Sequence, residues 1–146
     1  MPAMWRCPKC KRRFASRNQS HTCAGLHDLA HHFKDKPPEI RELYDAFVVE
    51  LMKIGRVIVL PEKSRIAFQV RMSFAQLTPR WKWVDGHLVL ARRVEDPRFT
   101  RVETFSPRNH LHAFRLTSAD QIDAWFVARM REAYLVGEQK HLVQDL

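Results

Sequence analysis

Apolar and polar positions follow two different periods along the chain. Over residues 40–54, apolar side chains recur at spacings of three and four, which predicts an amphipathic helix with one buried face. Pro38 suits the first turn of this helix, and Gly55 suits the position just past its end. A second apolar stripe covers residues 122–134. It follows a capping-box pattern that predicts a last helix beginning at Ser118.

Short segments with a period of two lie between these helices and predict strands. The segments are residues 57–60, 65–70, 73–78, 87–91, 99–105 and 111–116. Asp85 and Gly86 are predicted to form a tight turn before the fourth segment. Consecutive short strands indicate an antiparallel sheet with helices packed on one face. The sequence therefore predicts an α+β fold, in which an antiparallel sheet of about five strands is flanked by an N-terminal and a C-terminal helix.

Composition divides the chain into three parts, and it shows no internal repeat. Residues 1–24 are basic, contain all three cysteines and are predicted to form a small metal-binding module. Residues 25–38 are predicted to be a connector, which ends at a pair of prolines. Residues 39–146 hold both helices and all the predicted strands of the sheet, so we expect them to form the main domain.

Charge is distributed unevenly over these parts. The chain has a formal net charge of +9 and a pI near 10.0. The formal charge is +6 over residues 1–36 and +7 over residues 56–115, but −2 over residues 37–55 and −2 over residues 116–146. Such an excess favours polyanions as partners, nucleic acid first, although it also fits a role in solubility alone. Two basic surfaces are therefore expected, on the cysteine segment and on the strands.

Several classes of protein are disfavoured by what the sequence lacks. No apolar run approaches the roughly 20 residues of a membrane span, and residues 1–6 lack the apolar stretch of a signal peptide. We therefore expect a cytoplasmic protein with no membrane partner. Glycine-rich phosphate loops and the HExxH and GxSxG motifs are absent from the sequence, which makes an enzyme the less favoured interpretation.

The cysteines have the spacing of a zinc site. Cys7 and Cys10 form a CxxC pair, whose two thiolates can chelate one tetrahedral zinc ion from a tight turn. One possible ligand set adds His21 and Cys23. The other adds Cys23 and His27, which gives the spacing of a ββα finger with cysteine in the third place. A segment of about 25 residues buries too little apolar surface to fold alone, so bound zinc is expected to stabilise it.

A set of motifs spread over nearly the whole chain is specific in combination. They are Trp5-Arg-Cys7-Pro-Lys-Cys10, Asn18-Gln-Ser-His21-Thr-Cys23, Phe33-Lys-Asp-Lys-Pro-Pro38, Leu60-Pro-Glu-Lys63, residues 65–75, Leu90-Ala-Arg-Arg93, Ser106-Pro-Arg-Asn-His110 and Glu132-Ala-Tyr134. With these motifs the chain resembles bacterial proteins of the domain-of-unknown-function family 5655.

The resemblance implies an α+β domain with an N-terminal zinc motif and no established activity. Relatives in the family also occur joined to nuclease-like domains, which suggests work on nucleic acid by association only. The Asn-Gln-x-His-x-Cys run is typical of the family, so the resemblance favours His21 over His27 as the fourth zinc ligand. Lys11 stands where glycine is usual, a departure that concerns the turn between the ligands rather than the ligands themselves.

The main domain contains further candidate binding residues. The loop at residues 106–112 is the most site-like segment, because it brings histidines, a cation and an amide together. Trp81 and Trp83 flank Lys82 and offer stacking surfaces. The candidate ligand-binding or polyanion-binding residues are Lys63, Arg65, Arg71, Arg92, Arg93, Arg101, Arg108, His110, His112 and Arg115. Each also has a simpler interpretation as a solvent-facing charge, a structural histidine or a core aromatic.

Three functions remain open at this point. The leading hypothesis is a zinc-containing binding or accessory protein that contacts nucleic acid through basic surfaces. The first alternative is an enzyme that acts on a phosphorylated or nucleic-acid substrate with His110 or His112. The second alternative is a module that binds a protein partner. Salt-dependent binding distinguishes the first hypothesis, because counterion release accompanies phosphate contacts.

Overall fold

A computed structural model describes residues 4–8, 13–14 and 28–140. The described part contains two α-helices, α1 (Pro38–Ile54) and α2 (Ala124–Gly137). A two-stranded antiparallel sheet, formed by Trp5–Arg6 (β1) and Arg13–Phe14 (β2), lies in the N-terminal part. Among the described residues, no helix is long and apolar enough to cross a membrane.

The main sheet has six strands, where the sequence predicts about five. They are β3 (Ile58–Pro61), β4 (Ile66–Gln69), β5 (Ser73–Pro79), β6 (Val84–Leu90), β7 (Phe99–Ser106) and β8 (Asn109–Leu116). The strand order is β3-β4-β5-β6-β8-β7, and every neighbouring pair is antiparallel. The predicted α+β class, the antiparallel sheet and the helices on either side of it in sequence are thus confirmed.

The two helices begin and end for different local reasons. Pro38 occupies the first turn of α1, and the Gly55 N–H donates to the Leu51 carbonyl at its end, as the sequence predicts. The predicted start of the last helix at Ser118 is wrong. Ser118 does form a capping box, but it caps a short 3-10 turn at Ala119–Gln121. The helix α2 begins only after Asp123, whose side chain accepts the Phe126 N–H.

The prediction of a tight turn at Asp85 and Gly86 is also wrong. Both residues lie inside β6, and the preceding reversal runs from Arg80 to Trp83, where the Arg80 N–H donates to the Trp83 carbonyl at 2.9 Å. Gly86 is needed for packing rather than for turning. A Cβ atom there would lie 2.8 Å from the Gln76 carbonyl oxygen, which is closer than a side chain tolerates.

Both helices pack on one face of the sheet, and the core lies between them. Phe47 of α1 is fully buried, and its ring packs against Phe68, Phe114 and Phe126. These aromatic side chains come from α1, β4, β8 and α2, so one cluster joins both helices to the sheet. Phe33, from the predicted connector, packs against the edge of the same core. The opposite face of the sheet has no helix over it among the described residues.

Candidate anion-binding face of the sheet

The face of the sheet that points away from the helices is defined by one row of residues across all six strands. Strand pairing places the following residues side by side, each on the next strand of the sheet: Leu60, Ala67, Gln76, His87, Ala113 and Arg101. Their chain neighbours Phe68, Leu77 and Leu88 lie buried in the helix-side core. Since successive side chains of a strand alternate between faces, the row itself points to the other side, which we name the open face.

The β3–β4 end of the open face is covered. Leu60, Ala67 and Gln69 are only 5%, 7% and 2% exposed. The Gln69 side chain donates a hydrogen bond to the backbone carbonyl of Arg13. The N-terminal strand β2 is therefore attached to the main sheet at this end. Val89 and Leu111 on the same face are also buried, so the accessible part of the open face, among the described residues, lies around His87, Arg101 and Arg115.

An open polar cavity of about 310 Å³ lies on this other half. It is centred where the small side chain of Ala113 stands next to His87 and Arg101 in the same row. The lining residues are Gln76, Thr78, Arg80, Asp85, Gly86, His87, Thr100, Arg101, Ala113, Phe114 and Arg115. Arginines, hydroxyls, an amide and an imidazole therefore converge on one cavity.

Arg115 is held in place from two sides. Its Nε donates to Asp85 Oδ1 at 2.9 Å, and its guanidinium lies 4.0 Å from the centre of the Trp83 ring. Arg80 Nε and Trp83 Nε1 both donate to the other oxygen of Asp85. Burial opposes ionisation of Asp85, but the hydrogen bonds from Arg115 and Arg80 outweigh it and hold the pKa of this carboxyl below its ordinary value. Asp85 thus remains a carboxylate that orients the arginines.

Arg101, on the edge strand β7, is held less firmly. Its Nε lies 2.9 Å from Glu103 Oε1 in an exposed ion pair. Within the described part of the chain, the terminal Nη atoms of Arg101 and Arg115 form no hydrogen bond. Two guanidinium groups on neighbouring strands therefore keep available the nitrogen atoms that bind oxyanions, and Arg115 is fixed by a hydrogen bond and a ring contact.

His87 is uncharged at neutral pH. Burial, with smaller contributions from the positive charges of Arg65 and Arg101, lowers its pKa to about 4. No residue in the described segments hydrogen-bonds its ring. His87 is not among the candidates predicted from the sequence, where it stands just after a predicted turn. The alternation of polar Asp85 and His87 with apolar Val84 and Leu88 was the signal that could have found it.

The two histidines that the sequence favours have a different environment. His112 is fully buried and accepts the Val94 N–H on Nε2, while its Nδ1 donates to the His110 carbonyl. His110 is also buried, and its two ring nitrogens contact Thr104 Oγ1 and the Pro107 carbonyl. Burial is the main cause that lowers the pKa of His112. All four ring nitrogens are thus engaged in contacts within the fold.

The remaining basic candidates are scattered. Arg92 binds Glu132 of α2 through two hydrogen bonds, at 2.9 and 3.1 Å, on the helix side. Arg71 donates to Gln139, and Arg93 donates to Thr104. Lys63 and Arg108 lie exposed in turns, and Arg65 pairs with Glu62 beside the open face. The structure therefore brings together Arg65, Arg101 and Arg115 from the predicted set, and adds Arg80 and His87.

The two tryptophans after β5 differ in exposure. Trp83 is half-buried beneath the guanidinium of Arg115. Trp81 is 58% exposed, and the Lys36 ammonium lies 5.7 Å from its ring centre. Trp81 therefore offers one exposed aromatic surface with a cation beside it, close in sequence to Arg80 at the cavity.

Most of the predicted zinc site lies outside the described residues. Of its candidate ligands only Cys7 is described, while Cys10, His21, Cys23 and His27 are not. Cys7 is buried. Within the described segments, no group of three or more potential ligands could hold a metal ion.

Comparisons with known proteins place the chain in a family without assigning it an activity. No curated protein and no solved structure matches it. A family model matches residues 29–137, which include both helices and all six strands of the main sheet. The chain therefore belongs to the family described as Domain of unknown function (DUF5655), as its motifs indicate.

Proposed function

We propose that this protein binds single-stranded nucleic acid on the open face of its sheet, and that its N-terminal module contains one zinc ion. The observation that carries the proposal is the meeting of two features. Arg101 and Arg115 from β7 and β8, with Arg80 just after β5, line an open polar cavity, and the exposed Trp81 follows Arg80 in sequence. A basic groove with an aromatic stacking surface is the usual combination in proteins that bind single strands.

Existing ion pairs do not prevent phosphate binding. The pairs of Arg65 with Glu62 and Arg101 with Glu103 are exposed, and such pairs contribute about 0–1 kcal/mol. An arginine can therefore exchange or share its carboxylate with a phosphate at small cost. On the open face, Arg65, Arg80, Arg101 and Arg115 outnumber the carboxylates of Glu62, Asp85 and Glu103.

Base discrimination is expected to be weak. The open face offers arginine side chains for phosphates, and the exposed Trp81 ring is available for stacking. Neither distinguishes one base from another. Both helices are packed on the opposite face and their segments are slightly acidic, so neither resembles a recognition helix. Affinity should therefore depend on salt more than on sequence.

Fluorescence anisotropy with labelled oligonucleotides tests the nucleic-acid proposal. Single-stranded DNA and RNA of mixed sequence are titrated at several salt concentrations, with a duplex of the same sequence beside them. We expect tighter binding to the single strands and a log–log salt slope of about −0.7 for each phosphate contacted. The proposal would be refuted if an unrelated protein of the same charge bound the oligonucleotides with equal affinity. It would also be refuted if this protein bound none of them at low salt.

Zinc is expected to bind through the cysteine segment. Cys7, Cys10 and Cys23 with His21 would hold the ion, and the zinc would stabilise a module too small to fold alone. Native mass spectrometry before and after chelation should show the loss of one zinc ion. His21→Ala should weaken zinc binding strongly, and His27→Ala should weaken it little. The reverse result would assign the fourth ligand to His27.

A further inference from the structure

We infer that the cavity above Ala113 is a discrete site for one phosphate group, held between Arg101 and Arg115. If the phosphate belongs to a nucleic-acid backbone, this inference rests on the proposed function. A free nucleotide or another phosphorylated small molecule carries the same group, and the experiment separates these sources. Such a site depends on a few named residues, whereas binding to a generally basic surface depends only on total charge.

Arg115 is oriented before a ligand binds. Its Nε donates to Asp85 and its guanidinium lies against the Trp83 ring, so it loses little conformational freedom when a ligand arrives. Arg101, on the neighbouring strand, forms only an exposed ion pair with Glu103, which a phosphate can replace at small cost. The terminal nitrogens of both arginines, which have no hydrogen-bond partner among the described residues, are the donors that hold a phosphate in bidentate geometry.

The space between the two arginines has a size that suits a phosphate group. Arg101 is the β7 partner of Ala113, and Arg115 follows Ala113 by two residues along β8, so all three point to the open face. A methyl side chain between two arginines leaves a depression where a longer residue would fill it. The cavity of about 310 Å³ accommodates a phosphate group with its attached sugar, but not several nucleotides.

His87 lies beside this space, and its environment should change when a phosphate binds. The charged and polar side chains that share its side of the sheet are Arg65, Gln76, Asp85, Arg101 and Arg115. Burial, and to a smaller extent the charges of Arg65 and Arg101, disfavour the imidazolium form, so the free site holds a neutral ring. A bound dianion would offset the arginine charges. The pKa of His87 should then rise, which makes its ring resonances a reporter of occupancy.

The experiment uses the full chain and three probes: inorganic phosphate, AMP and a short single-stranded oligonucleotide. Binding is followed by calorimetry and by the NMR signals of the His87 ring. A titration in sulfate, which does not change protonation in this pH range, measures the pKa of the ring. We expect phosphate and AMP to shift the His87 signals saturably, and sulfate to raise the pKa of His87 from about 4.

Two variants and a matched control distinguish binding in a discrete pocket from binding to the overall positive charge of the protein. Arg101→Gln removes one wall, and Ala113→Leu fills the cavity without changing any charge. Arg131→Gln removes an equally exposed arginine from α2, on the helix side. Arg101→Gln and Ala113→Leu should each weaken AMP binding about tenfold or more, the effect of losing charged hydrogen bonds. Arg131→Gln should leave AMP affinity within about twofold of the parent protein.

Specific outcomes would overturn the inference. Equal losses in Arg101→Gln and Arg131→Gln, with none in Ala113→Leu, would show diffuse charge rather than a site. Absence of any His87 shift with phosphate and AMP would overturn it even if oligonucleotides bind, whereas failure of the oligonucleotide alone would refute only the proposed function. Thermal unfolding checks each variant, and Ala113→Val replaces Ala113→Leu if the latter does not fold. Displacement of AMP by the oligonucleotide identifies the backbone as a source of phosphate, and binding without displacement identifies the small molecule.

Discussion

Both faces of the sheet contain histidines and arginines, but the two faces differ in how far these side chains are bonded within the fold. On the helix side, His112 is fully buried, and both its ring nitrogens are bonded within the fold. On the open face, one strand away, His87 lines an open polar cavity, and no residue of the described chain bonds its ring. The difference teaches that a histidine becomes a binding candidate through its unsatisfied donors and acceptors rather than through its place in a motif.

Arginines show the same contrast. Arg92 points to the helix side and meets both oxygens of Glu132, a pairing that uses its Nε and one terminal nitrogen. Arg115 on the open face is bonded through Nε and lies on an aromatic ring. Substitutions on the helix side should therefore change stability, whereas substitutions on the open face should change binding. The following predictions test that division.

The largest effect is expected from the helix-side core. Phe47→Ala removes a fully buried ring that packs against Phe68, Phe114 and Phe126, and it leaves a cavity. The free energy of unfolding should fall by about 3–5 kcal/mol, as measured by urea denaturation. Oligonucleotide affinity should stay unchanged under conditions where the variant is folded. A large loss of affinity in the folded variant would show that the helix side takes part in binding.

A smaller effect is expected at His112. His112→Ala should lower the free energy of unfolding by about 2–3 kcal/mol, because the buried Val94 N–H and the His110 carbonyl lose their partner. His112→Gln, which can keep a donor and an acceptor, should lose less. Loss of binding or turnover without loss of stability would instead support the enzymatic alternative for this residue.

Stability should also depend on pH through His112 and His87. Burial lowers the pKa of both histidines in the folded state, so the unfolded chain binds more protons as the pH falls below about 6.5. This contribution to stability is therefore present above that pH and is progressively lost below it, over a window that reaches about 4 for His87. His112→Gln should flatten the curve below about pH 6.5, and an unchanged slope would contradict the assignment.

Trp81, which lies beside Lys36 rather than in the cavity, should show the reverse pattern. Trp81→Ala removes an exposed ring, so the free energy of unfolding should change by no more than about 0.5 kcal/mol. Affinity for a single strand should fall by about 1–3 kcal/mol, the usual loss when one base loses its stacking partner. Trp81→Phe is the matched control and should recover part of the affinity. Equal binding by the alanine variant would remove Trp81 from the interface.

The smallest effect is expected at Arg92. Arg92→Gln breaks an exposed pair with Glu132, which should cost at most about 1 kcal/mol of stability. It should leave oligonucleotide affinity nearly unchanged, although Arg92 and Arg101 are equally plausible phosphate contacts in the sequence. A loss of affinity as large as that of Arg101→Gln would show that the two faces are not divided in the way proposed here.

The sequence by itself determined the elements and the class of the fold. A three-four repeat in α1 and alternation in the strands follow directly from burying one face of each element, so these periods are legible in the chain. Pro38 and Gly55 marked the ends of α1 because their effects are local. The capping box at Ser118 was also a true local signal. It failed to mark the start of α2, because the same hydrogen bonds can cap a 3-10 turn.

Only the tertiary structure decided which polar residues form a site. Ala113, His87 and Arg101 lie on three strands, and register brings them into one row although β7 and β6 are not neighbours. Likewise, Gly86 resembles a turn residue in sequence, but packing against the Gln76 carbonyl requires its small size. Strand order and register depend on contacts between distant parts of the chain. A local pattern therefore reveals which face a side chain occupies, but not what lies beside it.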